Sequence, residues 1–199
     1  AKKIKFKHLF IFPAAYLVMV LPAVIAGRPL WDTLTLYFSQ AGTVGDAMNY
    51  NAPSLTSMFQ WGENTEMWSM LLVIAAFVFM FIVFAVAISN RKKLDDRVIF
   101  GMAVLLAVGI PFLLPHMHDR YFFLADTITL CWACLDRRRG IPAAILVQIA
   151  SLGAYHAYLM LRYAFPMAWG SLMLLATLIW TLFCLYQEWR HGEGGPVRR

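Results

Sequence analysis

Apolar residues run along this chain in long unbroken stretches, and polar residues gather in short clusters between them. Within a stretch there is neither the alternation that marks a half-buried strand nor the one-sided stripe of a helix lying on a soluble core. Six stretches, residues 9–27, 67–89, 98–115, 121–135, 141–165 and 167–187, approach the roughly 17 to 25 residues that a helix needs to cross a hydrocarbon layer. The fourth is short: at about 1.5 Å per residue it reaches about 22 Å of a core about 30 Å thick. The pattern predicts an all-α membrane protein with about six transmembrane helices in one domain, residues 1–189, and a solvated tail, residues 190–199.

Composition narrows the class in the same direction. Of 199 residues 61% are hydrophobic and 14% charged, against about half apolar and a quarter charged in soluble domains. Charge then sets the orientation. Lys2, Lys3, Lys5, Lys7, Arg91, Lys92, Lys93, Arg97, Arg137, Arg138, Arg139, Arg190, Arg198 and Arg199 fall on one side if every stretch crosses, and only Arg28, Arg120 and Arg162 fall at or near the other. By the positive-inside rule both termini lie in the cytoplasm. The net charge of +6 is thereby explained by topology, with the bilayer as partner and no nucleic acid required. The first stretch is too long for a signal peptide and lacks a small-residue cleavage site, so it reads as a retained helix.

The long excursion is the outer-face segment 28–66. RPLWDTLTLYFSQ places Trp31, Leu34, Tyr37 and Phe38 at helical spacing, as an interfacial helix does. TVGDAMNYNAPSL follows, with Gly45, Asn49, Asn51 and Pro53 supplying turn chemistry for an ordered loop. The inner connections NRKKLDDR and DRRRG are short, which predicts antiparallel pairing of the second with the third span and of the fourth with the fifth. Cys131 and Cys134 form a CxxC inside an apolar stretch without a second pair, and Cys184 stands alone; helix packing accounts for them without a metal or cofactor.

Candidate chemistry concentrates on the outer side, where His116, His118, Asp119 and Arg120 follow the helix-ending Pro115. The flanking stretches are the two shortest, so the cluster is expected to lie recessed, where an unneeded charge is costly. A guanidinium there can grip a phosphate through two parallel hydrogen bonds, and a histidine can donate to a developing anion. The alternative is a plain turn in which Asp119 pairs with Arg120. Asp126 stands seven residues after Asp119 on the same helix face. It and His156 are expected to be buried, either supporting a site or fixing helix packing. Arg162 either snorkels to headgroups or joins Arg120 at a phosphate.

PHMHDRYFFLADTITL resembles the HERYFF-type segment in the late transmembrane part of bacterial membrane glycosyltransferases of the GT-C superfamily. More distantly it resembles the His-Glu-Lys segment of the eukaryotic glucosyltransferases that extend the dolichol-linked N-glycan precursor. GRPLWDTLTLYFSQAG followed by NAPSL is similar to the long outer loop that precedes that segment in the same proteins. The resemblance implies an inverting mannosyltransferase or glucosyltransferase of the cell envelope, set in the bacterial plasma membrane. It takes a hexose from a polyprenyl-phosphate donor and passes it to an acceptor on the outer leaflet. His118 takes the place of the motif histidine near the donor phosphate, with Arg120 at the basic position; His116 and Arg162, singled out from the residues themselves, are further candidate phosphate contacts. Asp119 stands where the family has Glu, a catalytic position with a shorter arm. The family carries its general-base carboxylate in the first outer loop of a longer protein, so the resemblance implies the C-terminal half of such an enzyme, with the N-terminal half as partner. If this chain supplies the acid itself, the options are Asp32, Asp46, Glu63 and Glu66, and the interfacial helix favours Asp32. The competing class is a non-catalytic subunit or transporter component that holds a lipid-phosphate carrier.

Overall fold

The computed structural model describes residues 10–36 and 47–191. The chain divides into two compact units, Ala1–Gly45 and Asp46–Arg199. In the first, helix α1 spans Ile11–Ile25 and ends at Gly27, whose backbone takes φ 95° to turn the chain into the short helix α2, Leu30–Leu34. The Tyr16 hydroxyl closes the pair by donating to the carbonyl of Leu34 at 3.3 Å. Trp31 is exposed on α2, as an interfacial helix would hold it, while Tyr37 and Phe38 lie outside the described residues.

Among the described residues the second unit holds five α-helices: α3, Thr65–Ser89; α4, Asp96–Leu113; α5, Phe123–Leu135; α6, Arg137–Met160; and α7, Met167–His191. Among the described residues four helices, α3, α4, α6 and α7, are long and apolar enough to cross a membrane. The architecture is that of a multi-pass helical membrane protein.

Helix α4 is central, packing against α3, α5 and α7 and burying Val98, Val104, Leu105, Val108 and Phe112. Helix α3 is peripheral; its long apolar sides stay open, burying only Leu72, Ala76 and Val83. The expected hairpins are present, and α5 against α6 is the most extensive helix pair. Its closeness comes from small residues: the buried face of α6 is Gly140, Ala143, Ala144, Val147, Ala150, Ser151, Gly153, Ala154 and Ala157. Without a hydrophobic driving force between helices in lipid, such faces gain their stability from close backbone packing.

Two boundaries differ from the apolar pattern for local reasons. Helix α6 begins at Arg137, four residues before its apolar run, because Asp136 caps it by accepting from the Arg139 amide at 3.3 Å. It stops at Leu161, which adopts the left-handed conformation at φ 53°. Ahead of α5, a 3-10 turn at Asp119–Phe122 lengthens the short fourth stretch. At about 1.5 Å per α-helical and 2.0 Å per 3-10 residue, turn and helix together reach about 28 Å, close to a hydrocarbon core.

The two ends of this unit are chemically unlike. At one, Lys93 Nζ donates to the Trp189 carbonyl at 3.0 Å, Arg139 pairs with Glu188 and Asp136, and Trp180 Nε1 donates to the Arg139 carbonyl at 2.9 Å. Arg91, Arg97, Arg137, Arg138 and Arg190 stand at the same end, so the basic residues described in this unit gather there. The opposite end carries Arg120, Arg162 and the asparagine-containing loop.

A Cβ on Gly140 would lie 2.4 Å from the backbone nitrogen of Ala133, which cannot swing aside, whereas one on Gly62 would meet nothing within 4 Å. Gly140→Ala is therefore expected to destabilise the protein by about 1–3 kcal/mol as an overpacked contact, and Gly62→Ala to leave it unchanged; thermal unfolding of the two variants in one detergent measures the difference.

Candidate functional site

The site is built on a loop that satisfies its own polar groups. Asn49 Nδ2 lies within hydrogen-bond distance of the Ala52 carbonyl at 2.9 Å, Ser54 Oγ at 2.8 Å and Thr56 Oγ1 at 2.9 Å, and its Oδ1 accepts from the Ala52 amide at 2.8 Å. Ala52, Pro53, Ser54 and Thr56 are all buried, so these bonds replace water that the loop cannot reach. Ser171 of α7 donates to the Ser54 carbonyl at 2.8 Å and meets the Ser57 hydroxyl, docking the loop on that helix. Gly170 permits the approach, since a Cβ there would stand 3.0 Å from Pro53.

The loop edge then pairs with the segment after α4. Strand β1, Asn49–Tyr50, runs parallel to β2, Met117–His118, in the register Asn49 to Met117 and Tyr50 to His118, and Asn51 bridges to His118. His116, in the left-handed conformation at φ 57°, fastens the end of this pairing. Its amide donates to the Met48 carbonyl at 2.9 Å, its Nδ1 donates to the Ala47 carbonyl at 2.8 Å, and its Nε2 pairs with the Ser69 hydroxyl at 2.6 Å. Both ring nitrogens are occupied, which makes His116 a brace.

His118 differs. Its ring stacks on Tyr50 at 4.6 Å with planes 12° apart and meets the edge of Tyr121 at 5.8 Å, and among the described residues neither ring nitrogen has a hydrogen bond. Asp119, next in line, is buried, while Arg120 is exposed with its guanidinium 5.7 Å from the Tyr121 ring centroid. Among the described residues no ion pair joins Asp119 to Arg120, so the plain paired turn is not what this segment forms. One guanidinium and one unoccupied imidazole thus both meet the Tyr121 ring, and each is able to donate to an anion.

The other candidate residues distribute around this centre. His156 is exposed, against the expectation of a buried histidine: it lies in the last turns of α6 and donates from Nδ1 to the Arg162 carbonyl at 2.9 Å. It thereby ties down the turn after the helix, from which Arg162 projects exposed. Asp126 is buried as expected, at the α5–α6 contact. The Ser151 hydroxyl stands beside its carboxyl, and Gln148 Nε2 donates to the Asp126 carbonyl at 3.3 Å. Asp32 lies exposed in α2 of the first unit, Glu63 and Glu66 are exposed before and at the start of α3, and Asp46 lies outside the described residues. Cys131 and Cys134 are exposed on α5, and Cys184 is buried on α7.

A cleft of about 680 Å³ opens on the other side of β1, lined by Asn49, Asn51, Ser57 and the turn Tyr163, Ala164, Phe165, Pro166 and Met167. Tyr163 donates its hydroxyl to Asn51 Oδ1 across its mouth. Sequence reasoning singled out neither Tyr163 nor Tyr50, Ser69 or Ser171. The Asn, Pro and Ser content of 49–57 signalled a turn, but its partners lie up to 117 positions away. Comparison of the chain with protein-family models, curated proteins and solved structures returns no match.

Asn49→Asp keeps the acceptor for the Ala52 amide but turns the donor toward three oxygens into a second anionic acceptor. Faster amide hydrogen exchange is expected across 48–57 and 116–118, with the central turns of α4 unchanged; mass spectrometry of the exchanged protein reads both.

Proposed function

We propose that this chain is the C-terminal part of a membrane glycosyltransferase of the GT-C type, which moves a hexose from a polyprenyl-phosphate donor to an acceptor on the extracytoplasmic face. The observation that carries the reading is the juxtaposition of His118 and Arg120 beside the asparagine loop, at the end of the bundle remote from the basic cluster. The motif resemblance of PHMHDRYFFLADTITL supplies the reaction class, and the geometry supplies what that class needs. Arg120, free of Asp119, can hold the lipid phosphate. His118 can donate to it as the glycosidic bond breaks and negative charge gathers on the departing phosphate oxygen. Fixed donors stabilise that charge without reorganising.

In this reading the chain crosses the membrane about six times, α1 and the 119–135 segment included, with both termini in the cytoplasm of a bacterial cell. The basic end meets the inner leaflet, as the positive-inside rule requires. The nucleophile-activating carboxylate comes from the N-terminal half of the enzyme. Asp119 is buried, so it stands behind His118 and Arg120 rather than reaching a substrate. A second reading, a subunit that binds a lipid-phosphate carrier without transfer, uses the same two side chains; the burial of Asp119 favours it, since that carboxylate is poorly placed to act as a base.

Arg120→Ala is expected to abolish binding of a polyprenyl-phosphate hexose and Arg120→Lys to reduce it less, because an ammonium keeps the charge but loses the forked contact; equal and unchanged affinities in a nanodisc binding assay would defeat the phosphate grip. Donor-dependent transfer by membranes carrying the full gene product, lost in His118→Ala, separates the enzyme from the carrier-binding subunit. For topology, single cysteines placed at Arg120 and Arg138 in a background lacking the native three are expected to react with an impermeant maleimide from opposite sides of sealed vesicles.

A further inference from the structure

The cleft beside β1 carries no Lys, Arg, Asp or Glu in its lining, although charged residues crowd the same end of the bundle. Its ligand is therefore neutral where it enters. Its polar groups are not all available. Asn49 is fully engaged in holding the loop, and the Ser57 hydroxyl is taken by Ser54 and Ser171. What remains is one pair: Asn51, whose Nδ2 has no hydrogen bond among the described residues, and Tyr163, whose oxygen donates to Asn51 and keeps lone pairs to accept with. An amide donor and a phenolic acceptor side by side match two adjacent hydroxyls, each of which can both donate and accept.

The apolar part of the cleft points the same way. Phe165 is half-buried and held in place: a Cβ on Gly153 would lie 2.2 Å from its ring and one on Gly170 would lie 3.7 Å from it. With Pro166 it offers a flat, immobile face of the kind that packs against the C–H side of a pyranose. Asn51 adopts φ 59°, a left-handed conformation that asparagine accepts more readily than most residues, and this turns its amide toward the cleft mouth and Tyr163. The volume, about 680 Å³, falls within the roughly 300–1,000 Å³ of small-molecule sites.

Position completes the argument. His118 stands opposite Tyr50 in the strand pair and bridges to Asn51, so the segment leading to Arg120 and the cleft wall are adjacent strands, about 4.8 Å apart as paired strands are. We propose that the cleft holds the sugar of a glycosylated lipid phosphate, with Asn51 and Tyr163 as its hydrogen-bonding pair and Phe165 as its platform. The proposal rests on the lipid-phosphate reading of Arg120 and adds the sugar subsite.

The test uses the full chain in phosphatidylcholine nanodiscs and three probes: a polyprenyl phosphate, the same lipid bearing a hexose, and a methyl hexopyranoside as competitor. Asn51→Gly removes the amide while leaving the left-handed backbone unstrained, and Tyr163→Phe removes only the hydroxyl. Each variant is expected to weaken the hexose-bearing lipid about tenfold while binding the bare polyprenyl phosphate as the parent does, and the competitor is expected to displace the former alone. Unchanged affinity for the hexose-bearing lipid in both variants, with Arg120→Ala still abolishing binding, overturns the sugar subsite and leaves the phosphate reading standing. An equal loss of both lipids in Asn51→Gly also overturns it, since Asn51 would then act through the fold. Unchanged binding of both lipids by Arg120→Ala defeats the phosphate reading instead, and competition by the methyl hexopyranoside that Asn51→Gly abolishes would then support the cleft on its own.

Discussion

Asn49 occupies the position on which the candidate site depends, because it uses its whole hydrogen-bonding capacity to close a loop that water does not reach. A buried donor or acceptor left unmade costs about 1–3 kcal/mol, and the segment 52–57 would hold several. Once Asn49 has closed the turn, Ser54 and Ser57 present a surface to Ser171, and the free edge of the loop is straight enough to pair with Met117 and His118. His116 then locks the join from the other side through Ala47, Met48 and Ser69. The orientation of His118 and Arg120 follows from that join, since β2 leads directly into the 3-10 turn that carries them.

The helical frame supplies rigidity by a different route. Its helices come close where glycine and alanine line the contact, as at Gly140 against Ala133 and Gly109 against Phe79. Dispersion between close-packed backbones then does what hydrophobic exclusion from water does in a soluble core. Against this frame, local irregularity is concentrated at one end. Of the non-glycine residues with positive φ among those described, Asn51 and His116 belong to the loop pairing at the site, and Leu161 ends α6 two residues before Tyr163. For a non-glycine residue that conformation costs roughly 1–2 kcal/mol, so its clustering where Arg120, His118 and Tyr163 are aimed is consistent with strain maintained for function.

How much of this was legible beforehand varied with the range of the interaction. The apolar runs gave the long helices to within a few residues, because the period and length of a spanning helix are local properties. Boundaries slipped where a side chain overrode hydropathy: Asp136 drew three arginines into the first turn of α6, and Leu161 ended that helix inside an apolar run. The histidine and arginine cluster was visible as chemistry, yet its division of labour was not. His116 and His118 are two residues apart and look equivalent in sequence, but one is bound by Ala47 and Ser69 and the other stacks on Tyr50. His156 looked buried by position and proved to be exposed at a helix end.

The sequence by itself determined that the chain is a multi-pass bundle of apolar helices with its basic residues gathered in clusters and one polar segment rich in turn formers. Each of those facts depends on neighbours within about a helical turn or on the sum of transfer energies along a run. Only the tertiary structure decided which histidine is left with unoccupied nitrogens, which asparagine closes the loop and which faces a cleft, and that Tyr163 meets Asn51 at all. Those outcomes depend on pairings between residues tens to more than a hundred positions apart, and nothing in the local pattern of a chain records which of its distant polar groups will satisfy one another.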